Sequence, residues 1–296
     1  MHRNRQMPHN ATWVRPEDDE LDLYGVTHRG KVRSENQDHF MVSTVHPQVV
    51  VHATSLPNPE TLPLRGTRLA TVLVIADGVG GAKAGDEAAR LATEAVTRYV
   101  ATTLRSYHSA GSSTESELLD ALKEAALDAH AAVLAESARR PDRARMATTL
   151  TVCIVVYPHA YVIQVGDSRL YLYTNGKLSL LTRDQTVAQS LVDQGLMPPE
   201  RVALSPFKHV LSSAIGADEA MPEVTSFDIS VRDSLILMCS DGLTKHVTDE
   251  EIADCISRMT SSQQCATELL TLALERGGSD NITIIAGRAL PQVVGD

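Results

Sequence analysis

The sequence is poor in the residues that mark several common classes of protein. Its four cysteines, Cys153, Cys239, Cys255 and Cys265, contain no CxxC pair, and its eleven histidines show no spacing that demands a metal role, so no structural zinc site is legible. Cys153 and Cys239 lie inside apolar, strand-like runs, where a thiol behaves as a small hydrophobe. All four are read as reduced, which implies an intracellular protein, with the cytoplasm as the expected location. No apolar run approaches the length of a membrane span, and residues 1–20 hold no apolar core of a signal peptide. Positive charge is in deficit: 27 Lys and Arg face 37 Asp and Glu, a net charge of −10. A nucleic-acid groove or an anionic membrane surface is therefore not expected as the main partner. A solvated acidic surface accounts for most of that charge, and a cluster of acidic metal ligands is compatible with it.

What the chain does have is enough apolar residue, 43% of 296, for a sizeable core. Residues 1–20 read as a disordered tail and 291–296 as another, with a single domain over 21–290. Strands are predicted near 24–27, 39–42 and 69–74, then at 148–157, 160–165, 169–174, 177–181, 223–229, 234–239 and 281–286. Asn175-Gly176 marks a hairpin, and such tightly joined strands pair antiparallel. Apolar residues recur at helical spacing over 86–106 and 115–139. A short helix is expected over 186–194. Capping-box patterns at Thr248/Glu251 and Ser261/Gln264 open two more helices, the second closed by Gly277-Gly278. Residues 43–68 carry Pro47, Pro57, Pro59 and Pro63 and read as a long loop, with a strand allowed at Val49–His52.

Several carboxylates share one context, the end of a strand-like run or the company of small residues. Asp77 follows Thr71-Val72-Leu73-Val74-Ile75-Ala76 and precedes Gly78, Gly80 and Gly81; Asp241 follows Leu235-Ile236-Leu237-Met238-Cys239-Ser240 and precedes Gly242. Asp38, Asp167 and Asp280 have related settings. Each alone is satisfied by a plain Asp-Gly turn. Together, carboxylates at the ends of core strands can meet at one end of a sheet, where their repulsion calls for cations between them. An all-oxygen set of this kind suits hard ions such as Mg²⁺ or Mn²⁺.

The order Arg33-x-x-Asn36-Gln37-Asp38, Asp77-Gly78-Val79-Gly80-Gly81, Met146-Ala147-Thr148-Thr149, Gly166-Asp167-Ser168-Arg169, Asp241-Gly242 and Asp280-Asn281 resembles the metal-dependent protein phosphatases of the 2C type, in particular their bacterial branch. The resemblance runs from about Leu21 to Ala289. It implies an α+β fold, a four-layer αββα sandwich of two antiparallel sheets flanked by pairs of helices, with a two-metal site at one end. It implies hydrolysis of phosphoserine and phosphothreonine in proteins by direct attack of a water bridging two Mn²⁺ or Mg²⁺ ions. Phosphorylated proteins are the implied partners, a cognate kinase and its substrates among them, and a monomer is expected.

By the same resemblance Asp77 bridges the ions, the Gly78 carbonyl ligates one, and Asp241 and Asp280 complete the first ion's shell. Asp38 holds the second ion, directly or through water. Arg33 grips the substrate phosphate, the alternative being an exposed loop arginine. Asp142 stands where bacterial relatives bind a third ion, and equally reads as a turn residue. Residues 186–210 match a mobile flap beside the cleft. The chain departs from the pattern in three places: Gln37 replaces a Glu, Val79 a His, and Gln185 a His. A phosphatase-fold binding or regulatory module with weak or no activity is the competing reading; the presence of Asp77, Asp241 and Asp280 weighs against it.

Overall fold

The computed structural model describes residues 14–110, 115–140 and 146–291. The chain begins with β1 (Leu21–His28), β2 (Asp38–Val45) and β3 (Ala70–Val79), followed by two long helices, α1 (Ala82–Ala110) and α2 (Glu115–Arg139). Then come β4 (Ala147–Thr148), β5 (Leu150–Val156), β6 (His159–Val165), β7 (Arg169–Thr174) and β8 (Lys177–Leu180). The remainder is α3 (Val187–Asp193), β9 (Glu223–Asp228), β10 (Leu235–Cys239), α4 (Asp241–Thr244), α5 (Asp249–Ser257), α6 (Ser262–Glu275) and β11 (Ile282–Ala289). One sheet has the order β1-β11-β10-β7-β8 and the other β2-β3-β5-β6-β9, with β4 paired to β3. Every strand pair is antiparallel.

The two-residue period of each strand sorts its side chains into layers. In β3, Val72 and Val74 pack against α1 and α2, whereas Leu73 and Ile75 enter the layer between the sheets. In β10, Leu235, Leu237 and Cys239 join the core beneath α5 and α6, whereas Ile236 and Met238 meet Leu73 and Ile75 from the opposite sheet. Helix pair, sheet, sheet and helix pair are thus stacked in the four layers expected. The alanine-rich faces of α1 and α2, Ala88, Ala92, Ala126 and Ala129 among them, let those helices lie close to one another and to β3. Asn175 and Gly176, both at positive φ (51° and 75°), form the hairpin between β7 and β8. Thr248 and Glu251 complete a reciprocal capping box at α5.

Four local expectations differ. The turn placed at Asp77 is strand: β3 runs on through Gly78 and Val79 because β4 supplies a partner there, Gly78 opposite Thr148 and Val79 opposite Ala147. Val49–His52 is not a strand; this stretch makes only an isolated bridge, Gln48 to Arg65, in keeping with its flanking prolines. Part of the expected N-terminal tail has structure, since Asp18–Glu20 form a 3-10 turn, buried Arg68 pairs with Asp18, and Arg68 donates to the Pro16 carbonyl at 2.6 Å. A short helix that the sequence pattern does not announce, α4, begins at Asp241 itself. Residues 1–13 and 292–296 lie outside the described residues.

Candidate metal centre

The layer between the sheets is apolar along most of its length and polar at one end. In β2 and β3, Asp38 and Asp77 are opposite each other in register, following Phe40 and Ile75 on the same face. From the other sheet, Ser240 at the end of β10 and Thr283 in β11 continue the face of Met238 and Ile285. Both hydroxyls donate to one oxygen of Asp38, Ser240 Oγ at 2.8 Å and Thr283 Oγ1 at 2.7 Å. The other oxygen, Oδ1, is buried and has no hydrogen-bond partner among the described residues. Burial pushes the Asp38 carboxyl up to about 6, against the pull of the two hydroxyls. Burial likewise drives Asp77 well above the usual carboxylate range, and the charge of Asp38 drives it further.

The backbone of Asp77 is fixed from β4 and β5: its N–H donates to Thr149 Oγ1 at 3.0 Å, and its carbonyl accepts from Thr148 Oγ1 and the Thr149 N–H, both at 2.9 Å. Gly78 must be glycine. A Cβ there would sit 2.4 Å from the Gly85 backbone and 2.8 Å from the Gln37 carbonyl, so only a bare residue lets α1 and the β2 entrance close on β3. Gly242 has the same duty on the other sheet, where a Cβ would lie 1.9 Å from the Asn281 carbonyl. That approach places Asp241 beside Asp280.

Asp241 and Asp280 have cationic partners. Lys245 Nζ lies 2.6 Å from Asp241 Oδ2 and 2.7 Å from Asp280 Oδ2. Arg33 forks onto Asp280, Nε at 2.7 Å and a terminal nitrogen at 2.8 Å. Burial alone would push the Asp280 carboxyl up, but Arg33 and Lys245 outweigh it and hold it below its ordinary value. The Arg33 loop is held by Asn281, whose side chain donates to the carbonyls of Arg29 and Glu35, both at 2.9 Å, and accepts from the Gln37 N–H at 2.9 Å.

Arg33, Asp77, Gly78, Asp241 and Asp280 thus line one open cavity of about 850 Å³. Asp38 is buried beside it, and Asp142 lies outside the described residues. Gln37 turns its amide nitrogen to the Gly81 carbonyl at 2.7 Å. Asp167 lines the same cavity, and burial pushes its carboxyl up to about 8. It forms a group with Asp241 and His209 whose potential ligand atoms lie within 4.8 Å of one another. Behind it Arg169 grips Asp184 at 2.9 and 2.7 Å, and Gln185 accepts from the Gly166 N–H at 2.9 Å. Of residues 186–210, His209 and Val210 line the cavity, and a bridge from Thr186 to Leu211 brings the two ends of the segment together. Sequence reasoning passed over Lys245, His209, Ser240 and Thr283. Of these only Lys245 carried a signal, its position four residues after Asp241, which becomes one helix face once α4 is recognised.

The donor set fits hard divalent cations. It is made of oxygen, it includes a buried carboxylate oxygen with nothing to bond, and its charges are grouped closely enough to resist ionisation without a counter-charge.

Fold and site together define a class: an αββα sandwich with an acidic cleft where the layer between its sheets opens to solvent. The chain belongs to the protein phosphatase 2C family, whose profile matches residues 57–274. It is 32% identical over 216 residues to the serine/threonine protein phosphatase PstP of Mycobacterium tuberculosis, a match covering 73% of this chain and 40% of that protein's length. It is 28% identical over 260 residues to the serine/threonine phosphatase stp of Listeria welshimeri, covering 88% of this chain and 92% of the relative. The solved catalytic domain of PstP in complex with two manganese ions superposes with a TM-score of 0.68 at 28% identity, covering 92% of this chain and 99% of that one. No helix among the described residues is long and apolar enough to cross a membrane.

Proposed function

We propose that this chain hydrolyses phosphoserine and phosphothreonine in proteins, using two divalent cations, Mn²⁺ or Mg²⁺. The observation that carries the reading is Asp38 Oδ1, a buried carboxylate oxygen without a hydrogen-bond partner, set in register with Asp77. Asp38, Asp77 and the Gly78 carbonyl would hold one side of the ion pair, and Asp77, Asp241 and Asp280 the other. Bound ions supply positive charge beside the phosphoryl group and lower the pKa of water at the site, so that water can displace the alcohol directly.

The chain's own residues do the rest. Ser240 and Thr283 fix one oxygen of Asp38, which leaves the other aimed by default rather than by rotation. Thr148 and Thr149 hold the Asp77 backbone against β5, so its carboxylate is placed by a paired strand and not by a flexible turn. Arg33, about half exposed and reaching from a loop that Asn281 pins, presents a planar fork that can leave Asp280 to orient a phosphate. Val79, at the end of β3 and 41% exposed, offers no proton to the leaving alcohol. Residues 21–290 are the unit that carries the activity, with 186–210 as its flap. A third ion would draw on Asp241 and Asp142. Cytoplasmic phosphoproteins, including a kinase and its substrates, are the partners this reading implies.

The test is hydrolysis of p-nitrophenyl phosphate with and without Mn²⁺, in wild type and Asp77→Asn, with Mn²⁺ binding measured in parallel. Metal-dependent turnover lost in the variant is expected. Folded wild type that binds Mn²⁺ without turnover would shift the reading to a regulatory module, and turnover unchanged in Asp77→Asn would place the chemistry elsewhere.

A further inference from the structure

The carboxylates of this centre are not equally in need of an ion. Asp280 has both oxygens engaged, Oδ1 by Arg33 Nε at 2.7 Å and Oδ2 by Lys245 Nζ at 2.7 Å with a second Arg33 nitrogen at 2.8 Å. Asp241 gives Oδ2 to the same Lys245 ammonium at 2.6 Å. One compact cation therefore sits between the two side chains that the metal reading assigns to one ion. A hard divalent ion draws its oxygen ligands to roughly 2.0–2.6 Å, and the ammonium and the ion cannot both occupy that point. The exchange is also electrostatic: a divalent ion brought beside a fixed positive charge is repelled unless that charge withdraws.

Resting on the metal-centre reading above, we infer that Lys245 is an internal cation that fills the Asp241–Asp280 half of the centre and swings out when a divalent ion binds there. Its chemistry suits the task, because an ammonium on a four-carbon stem is a point charge without a fixed plane, able to leave where a forked guanidinium would stay. Its anchorage suits it too: Lys245 is the C-cap residue of the four-residue helix α4, one turn beyond Asp241, so withdrawal needs only side-chain torsions. There is room to withdraw. Lys245 also lines a second cavity of about 360 Å³, shared with Asp167, Asp184 and Asp241 on the acidic side and with Arg169 and Lys208 on the basic side; Arg169 already holds Asp184, which leaves Asp167 as the carboxylate a displaced ammonium would meet. The two halves of the centre therefore fill with different ease. The Asp38–Asp77 half takes an ion into a site that holds no side-chain cation among the described residues, and the Asp241–Asp280 half exchanges one cation for another.

Mn²⁺ binding to the full chain, followed by the electron-paramagnetic-resonance signal of free Mn²⁺, reads this directly alongside thermal melts with and without the metal. Wild type is expected to show one tighter and one weaker ion. Lys245→Met is expected to tighten the weaker ion at least about tenfold, while Lys245→Arg leaves it weak. In the presence of chelator Lys245→Met should melt below wild type, because Asp241 and Asp280 lose their shared counter-charge, and saturating Mn²⁺ should erase that difference. Lys245→Gln provides the same comparison if the Met variant does not fold. Equal or weaker Mn²⁺ binding in the folded charge-removing variants overturns the role of Lys245 while leaving the metal centre standing. Wild type that binds no Mn²⁺ overturns the metal centre itself, and the inference falls with it.

Discussion

The centre is built from two pairs of aspartates, one from each sheet, and the pairs have opposite electrostatics. Asp38 and Asp77, on adjacent strands of one sheet, have hydroxyl and backbone partners but no cationic partner among the described residues, and burial raises both above the ordinary carboxylate range. Asp241, at the start of α4 after β10, and Asp280, in the loop before β11, share Lys245, and Asp280 is further held by Arg33. The residue type is the same, and each aspartate lies within two residues of the end of a strand. What differs is the neighbours: Asp38 is buried in the layer between the sheets and Asp77 stands where that layer opens into the cavity, neither in contact with a cationic side chain among the described residues, whereas the second pair lies at the rim in contact with a loop arginine and a helix-end lysine. A buried unpaired carboxylate is costly. The sandwich tolerates that cost at one point of its core, and a site prepared for external cations is the physical reason it would.

The largest effect should come from the first pair. Asp77→Asn removes charge at the position that the proposed function gives to both ions and should lower metal-dependent kcat/KM at least about 10³-fold, several kcal/mol of charge stabilisation; a loss under tenfold would break the asymmetry between the pairs. The next effect is on stability without metal. Asp38, at about 6 in the folded protein against an ordinary 3.8, keeps a proton that the unfolded chain gives up between those pH values. A raised carboxyl pKa stabilises the fold below that window and loses the contribution as pH rises through it. In chelator, stability should therefore fall by about 2 kcal/mol between pH 4 and pH 7 on account of Asp38. Asp167, pushed up to about 8, extends the decline. Urea midpoints across pH check this, and Asp38→Asn should flatten the slope. A wild-type profile already flat in chelator would mean the first pair has a counter-charge after all.

How much of this contrast a reader of the sequence could see depends on what kind of neighbour each aspartate has. Asp77 and Asp241 were legible because a carboxylate set between an apolar run and glycine leaves a pattern, Asp38 and Asp280 because their motifs fall in order around them, and the fold followed from strands that alternate and helices that cap. Their partners were not. Ser240 and Thr283 are ordinary hydroxyl residues whose meeting at Asp38 depends on the stacking of two sheets whose relative placement no single strand encodes. Lys245 reaches Asp241 only because four residues close into α4, too short a helix for periodicity to reveal. The turn expected at Asp77 failed for a related reason: the strand continues because β4, two residues long and some seventy positions away, pairs with it. Local pattern identifies a group; its charge environment is a property of the assembled layers.

Arg33 tests the second pair from the substrate side. Arg33→Ala should raise KM for a phosphopeptide about tenfold, with a smaller change in kcat, because orientation of the phosphate is lost while the ion ligands stay. Mn²⁺ affinity should hold steady or tighten, since Asp280 loses a competing fork. An unchanged KM would confine Arg33 to its pairing with Asp280.

The smallest effect expected is at Gln37, beside the Asp38–Asp77 pair. Its side-chain amide nitrogen donates to the Gly81 carbonyl at 2.7 Å and its backbone carbonyl accepts from the Gly78 N–H at 3.3 Å, so it joins the β2 entrance to the turn before α1. Gln37→Glu adds negative charge next to Asp38 and Asp77 but gives up that donor, since an ionised Glu only accepts. The first change draws a divalent ion in and the second loosens the loop that frames it. Charge close to an ion in a partly buried site outweighs one exposed hydrogen bond, so the variant should bind Mn²⁺ about three- to tenfold more tightly and melt slightly lower in chelator. A calorimetric titration that shows weaker binding would reverse that ranking: the Gly81 contact would then matter more to the first pair than the charge it lacks, and the contrast between the two halves would rest on backbone framing instead of on counter-ions.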